Sequence, residues 1–320
     1  MQRSRHIPVL MEEAMQLLQC RPGGIYLDGT VGSGGHSLEI LHRSAPGGRV
    51  IGLDLDPAAL ERARSVLPED RVWLFHENFS NLDIALQRAG IEKLDGILMD
   101  LGVSMDQLTC RNRGFGFSVS APLDMRYDPS GSITAYSIVN RYSVDELRRI
   151  FREYGEEPYA GKIARALERH RGRRPIETTT ELAEIVMKAV PPAVRRRTRI
   201  HPATRVFQAI RIMVNDELHN LRVAIEKGVK LLPVGGRFCI ISFHSLEDRM
   251  VKQAFRAYQH GCECPPRLPQ CVCGKRPVLS VITKRPVVPG KEEIQRNPAS
   301  RSARLRAAEK IAAHNETGRE

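Results

Sequence analysis

Over its first hundred residues the chain alternates short apolar runs with stretches in which apolar residues recur every three to four positions. Residues 23–30 (GGIYLDGT), 48–56 (GRVIGLDLD), 71–79 (RVWLFHENF) and 94–102 (LDGILMDLG) read as strands, because each packs an apolar run between turn residues. Residues 36–44, 57–67 and 81–90 read as helices, the second begun by Pro57. Strand and helix in strict alternation predict a parallel, doubly wound α/β sheet. The alternation stops after about Ser104. Residues 111–132 are rich in Gly, Pro and Asp, and 144–155, 159–170 and 179–190 have amphipathic helical spacing. The α/β pattern then returns, with a long helical stretch over 205–232, a strand over 235–243, a helix over 245–258 and a final strand over 277–286. The expected layout is a first core segment (1–110), an inserted helical domain (111–205), a second core segment (206–310) with a Cys-rich loop at 262–273, and a polar tail (311–320).

Composition narrows the class. At 320 residues the chain can bury a sizeable core, and one core with an insertion fits that length. No apolar run reaches the ~18 residues of a membrane span, and Glu12 and Glu13 interrupt the stretch where a secretory segment would lie. These readings predict a cytoplasmic protein without a membrane partner. The net charge is +12 and unevenly placed: residues 148–211 carry +9, residues 284–310 carry +5, and the remainder is −2. Two basic segments beside a nearly neutral remainder favour a polyanionic partner, most simply nucleic acid, over a merely solvated face.

Candidate chemistry starts in residues 27–40, LDGTVGSGGHSLEI, where glycines separate a strand from a helix. Such a loop lets backbone N–H groups approach a ligand closely. Dinucleotides and S-adenosylmethionine are the two large ligand classes that use it. The dinucleotide pattern needs glycine at the third position, but from Gly32 the chain runs Ser33, Gly34, Gly35, His36, Ser37. That disfavours a dinucleotide. Asp54 ends the second strand 20 residues beyond Gly34, placed to accept both hydroxyls of a ribose. Asp100 ends the fourth.

Eight segments in order, HIPVL (6–10), DGTVGSGGHS (28–37), DLDP (54–57), DLGVSMDQL (100–108), PLDMR (122–126), HPATRVFQAIRI (201–212), ISFHSLEDRMVK (241–252) and NPASRSARLR (297–306), make the chain resemble the RsmH (MraW) family. Met105, Thr109 and Gly116 depart from that family's usual residues. The resemblance implies a class I (Rossmann-like) S-adenosylmethionine-dependent methyltransferase core with an inserted helical domain. It also implies methylation of the exocyclic N4 of the decoding-centre cytidine, position 1402 of 16S rRNA, in the small ribosomal subunit. By match to the motifs, Gly34, Gly35 and His36 would line the methionine and ribose side of the cofactor, Asp54 the ribose diol, Phe79 the adenine, and Asp100 and Gln107 the remaining polar contacts. The alternatives are a non-catalytic RNA-binding or assembly factor on the same fold, and a methyltransferase acting on DNA or protein. A homodimer is an open assembly state.

An exocyclic cytosine amine is a weak nucleophile, so its protons need an acceptor and its nitrogen must be held in line with the methyl carbon. The Asn/Asp-Pro-Pro-aromatic motif common in amino-methyltransferases does not follow the fourth strand. Asp100, or a backbone carbonyl beside it, is the candidate catalytic acceptor, and a pure cofactor contact is the alternative. His244 is a candidate substrate contact, with a structural histidine as its alternative. Arg195, Arg196 and Arg197, in RRRTR, are candidate RNA contacts. Cys262, Cys264, Cys271 and Cys273, spaced C-x-C-x6-C-x-C, could hold a structural zinc through four thiolates, with unligated thiols as the alternative.

Overall fold

The computed structural model describes residues 8–110, 112–198, 200–261, 264, 273 and 275–313, without the side chains of residues 106, 109 and 197. It divides into two compact units, Met1–Gly102 with Leu218–Glu320, and Val103–Glu217. The second unit contains the segment 111–205 expected as the insertion and extends beyond it at both ends.

The chain enters the first unit through α1 (Met11–Leu18), β1 (Ile25–Asp28), α2 (Gly35–Arg43), β2 (Arg49–Asp54), α3 (Pro57–Arg64), β3 (Val72–His76), α4 (Leu82–Ala89) and β4 (Gly96–Asp100). It then forms the second unit from α5 (Met105–Thr109), α6 (Ala135–Arg141), α7 (Val144–Glu153), α8 (Ala160–Arg171), α9 (Thr179–Ala189), α10 (Pro192–Arg197) and α11 (Ala203–Asn215). It completes the first with α12 (Glu217–Leu231), β5 (Arg237–Ser242), α13 (Ser245–His260), β6 (Leu279–Val281), α14 (Lys291–Arg296) and β7 (Arg304–Lys310). No helix among the described residues is long and apolar enough to cross a membrane.

The sheet order is β3-β2-β1-β4-β5-β7-β6, parallel through β5 and antiparallel at β7 and β6. Strand residues alternate between its faces, as a two-residue repeat requires. Leu27, Ile97, Met99, Phe238 and Ile240 join one core with residues of α4, α12 and α13, such as Leu86, Ile225 and Phe255. Tyr26, Leu98, Cys239 and Ile241 join the other with residues of α1, α2 and α3, such as Met15, Ile40 and Leu60. With both faces covered, every parallel strand is an apolar run. The second unit has its own core around Phe151, Ile163, Leu182 and Ile210. Its α7 begins with a capping box in which Ser143 and Glu146 satisfy each other's backbone amides.

Three expectations change here. The long helical stretch over 205–232 is two helices, because Asp216 takes a left-handed conformation (φ 49°) that ends α11. The strand expected over 277–286 shrinks to Leu279–Val281 at the sheet edge. A strand that periodicity did not suggest, β7, pairs between it and β5. Two of the eight cations of the second basic segment, Arg306 and Lys310, are consequently buried, and the other six stay exposed. Arg306, 6% exposed, donates from Nε to Asp248 Oδ1 at 2.6 Å, Arg304 reaches the same carboxylate at 3.0 Å, and the buried Lys310 ammonium donates to the Lys230 carbonyl.

Candidate active site

Parallel strands all point their C-terminal ends at one edge of the sheet, and three of them end in aspartate: Asp28 on β1, Asp54 on β2 and Asp100 on β4. Strands β1 and β4 are neighbours whose following helices leave in opposite directions along the sheet order, the point at which α/β sheets open a crevice. Asp28 and Asp100 flank that point.

The loop after β1 ties these ends together. The Gly29 amide donates to the Leu98 carbonyl at 2.9 Å, the Val31 amide to the Leu53 carbonyl at 2.9 Å, and the Asp100 amide to Thr30 Oγ1 at 2.6 Å. Gly32 (φ 53°) and Gly34 (φ 85°) take conformations that side chains resist. A side chain at Gly34 would also press on Val66 and Leu67 at 3.1–3.3 Å, and one at Gly35 would collide with Pro8. One at Gly29 would come within 3.2 Å of Phe79 Cβ, so Phe79 stands beside the loop at the same sheet edge.

Each aspartate is held differently. Asp54 accepts the Gly32 amide on Oδ2 (2.9 Å) and the Asp56 amide on Oδ1 (2.8 Å), leaving lone pairs on both oxygens for further donors; burial raises its carboxyl above the usual range. Asp28 is 1% exposed and accepts the Ser37 hydroxyl at 2.7 Å and the Thr30 amide at 3.1 Å. Burial pushes it up to about 6, against the opposing pull of those two donors. Asp100 is raised well above a free carboxyl, by burial first and then by the charges of Asp28 and Glu247. Its Oδ1 is buried with no hydrogen-bond partner among the described residues. A buried acceptor without a donor is costly unless something supplies one.

His36 opens α2 and is buried. Its Nε2 hydrogen bond runs to the Val9 carbonyl (3.1 Å), so Nε2 carries the proton, and Nδ1 lies 3.7 Å from Asp100 Oδ2. The N-terminal segment therefore serves the site: Val9 orients His36 and Pro8 covers Gly35. Gly34, Gly35, His36, Asp54, Phe79 and Asp100 all gather at one edge of the first unit. Gln107 belongs to the second, where it and Ser104 satisfy each other's amides at the start of α5 (3.0 and 3.2 Å). His244 is the N-cap of α13; its Nδ1 accepts the Glu247 amide, and Glu247 Oε1 lies 3.2 Å from its Nε2, a geometry that satisfies the helix start. Arg195 is half-buried and Arg196 exposed on α10. Of the four cysteines, Cys262 and Cys271 lie outside the described residues, and Cys264 and Cys273 are half-buried. Sequence reasoning missed Asp28, Thr30 and Ser37 as members of the site, although Asp28's place at a strand end was the signal that singled out Asp54 and Asp100.

The family model described as the MraW methylase family matches residues 3–311. The chain belongs to that family. Members are S-adenosylmethionine-dependent methyltransferases, and this chain is one. A protein named ribosomal RNA small subunit methyltransferase H from Thermomicrobium roseum is 52% identical over 309 residues, covering 96% of this chain and 94% of that relative. Proteins of the same name from Syntrophus aciditrophicus and Symbiobacterium thermophilum are 51% and 50% identical, covering 96% and 97% of this chain and 98% of each relative. Membership in a methyltransferase family accounts for the clustered carboxylates, since the methyl donor is a cation.

Proposed function

We propose that the protein methylates the exocyclic N4 of a decoding-centre cytidine in 16S rRNA of the small ribosomal subunit. The observation that carries the reading is identity of about half the residues, along nearly the full length of both chains, to proteins named for small-subunit rRNA methylation. S-adenosylmethionine, when bound, supplies an electrophilic methyl group on a sulfonium. The residues fit it. Asp54 has acceptor capacity left for a ribose diol, the open backbone at Gly32 admits close approach, Phe79 can cover an adenine, and the unpartnered Oδ1 of Asp100 can accept a donor or face positive charge.

Asp100 is the group assigned to the amino protons. Its raised proton affinity makes it a better acceptor than a solvated carboxylate, and the His36 ring, oriented by the Val9 carbonyl, lies beside its second oxygen. Gln107 is the residue assigned to a further polar cofactor contact. Arg195, Arg196 and Arg197 are assigned to RNA phosphates, and His244 to a structural role as the cap of α13. A cytosolic location follows from the substrate. The decisive experiment is transfer of labelled methyl to small subunits lacking the modification, followed by nucleoside analysis. Label in N4-methylcytidine is expected; label in another nucleoside or in protein, or none, would overturn the reading.

A further inference from the structure

In the second unit three rings lead from the core to the surface. Phe207, on α11, is 4% exposed within the apolar core. Phe117 packs edge-on against it, with centroids 4.9 Å apart and planes at 64°. His201 lies over Phe117 at 4.7 Å and 35°, and it is exposed. The outermost ring is fixed as well as exposed: His201 Nδ1 accepts the Ala203 amide at 3.1 Å, where α11 begins, so the imidazole cannot turn freely. One face rests on Phe117 and the other meets solvent. Apolar side chains that water does not favour adjoin both rings in sequence, Val119 at 49% exposure and Ile200 at 53%. Cations adjoin them too: Arg205, one helical turn beyond His201, and Arg196 are both exposed.

We propose that His201, backed by Phe117 and Phe207, is a stacking platform for one unpaired nucleobase of the RNA substrate. The inference rests on the function proposed above and deepens it by assigning a second kind of contact to the inserted unit. Single-stranded nucleic acid is gripped where flat rings lie beside cations, because stacking holds bases without regard to sequence while the cations track the backbone. A ring already fixed by its own backbone bond loses little freedom when a base lands on it. An RNA duplex, whose bases are covered by their neighbours, would not engage it.

The test uses the full-length protein and an unstructured pyrimidine-rich RNA decamer carrying one 2-aminopurine, whose fluorescence is quenched by stacking. His201→Asn keeps a side-chain oxygen for the Ala203 amide and removes the ring. It should weaken decamer binding about fivefold or more, reduce the quenching, and leave the salt dependence unchanged, since every cation that meets a phosphate is still in place. His201→Trp keeps a ring, loses the bond from the Ala203 amide, and should bind at least as tightly as the parent. Wild-type affinity and quenching in the Asn variant, equal weakening in both variants, or no binding by the parent protein would each overturn the platform. Methyl transfer to small subunits separates this failure from that of the function itself. N4-methylcytidine formed equally well by parent and Asn variant sinks only the platform, whereas its absence with the parent sinks the function.

Discussion

The sheet edge of the first unit and the α7–α8 surface of the second treat charge in opposite ways. The first draws carboxylates into the end of its sheet: Asp28 is almost wholly buried, Asp54 and Asp100 are partly so, and burial raises the proton affinity of all three. The second keeps a row of cations outside. Arg148, Arg149, Arg152, Lys162, Arg165 and Arg173 lie on α7, α8 and the turn that follows, around an apolar core. A buried carboxylate acts strongly over a short range and suits a small cationic ligand. Exposed cations are each screened and weak, but they add along a polyanion. The first arrangement carries a stability cost at neutral pH, and the second carries almost none.

The largest effect should come from Asp100. Asp100→Asn retains the shape and removes the acceptor charge, and methyl transfer should fall roughly 10²-fold or more, the scale of a lost positioned acid or base. Steady-state rates with saturating cofactor check it, and an unimpaired Asn variant would leave the amino protons to another acceptor.

The cost of burial can be read directly at Asp28. Its folded proton affinity, about 6, lies above the ordinary 3.8, so the folded state binds more protons between those values. Stability is therefore full below about pH 4, falls as pH rises toward 6, and is level above that. Asp28→Asn should remove this fall, a difference of about 3 kcal/mol between pH 3.5 and 7 when urea unfolding of the two proteins is compared. The same pH profile in both proteins would mean that Asp28 is not held above its ordinary range.

Asp54→Ala ranks next. Loss of an acceptor for the ribose hydroxyls should weaken S-adenosylmethionine by about 1.5–3 kcal/mol in titration calorimetry, with the fold intact by circular dichroism. Unchanged affinity would remove Asp54 from the cofactor site.

The sequence showed the α/β core and most of the cofactor edge because both are local signals. Apolar runs between turns mark β1 to β5, and a strand-ending acid after a glycine loop marks Asp54. What escaped depends on partners distant in the chain. Residues 304–310 (RLRAAEK) look like a basic surface stretch, and only Asp248 and the Lys230 carbonyl, far away in sequence, make Arg306 and Lys310 tolerable inside. The break at Asp216 was hidden because apolar spacing continues through it, while the break itself is a single backbone conformation. Gln107 carries no local signal of its own: only the motif match singles it out, and its reciprocal bonds with Ser104 at a helix start are visible only in the structure. At His244 the sequence left a substrate contact and a structural role open, and the bond from the Glu247 amide shows it capping α13.

The division of labour between the units is tested most directly by the salt dependence of binding to small subunits that lack the modification, compared for three proteins. The parent and Asp54→Ala should give parallel lines of log K against log salt, because the aspartate faces the cofactor. Replacing Arg195, Arg196 and Arg197 together by glutamine should flatten the slope by roughly 0.7–0.9 for each phosphate no longer neutralised, while calorimetry finds S-adenosylmethionine bound as before. Three parallel lines, or a slope flattened by Asp54→Ala, would contradict the account.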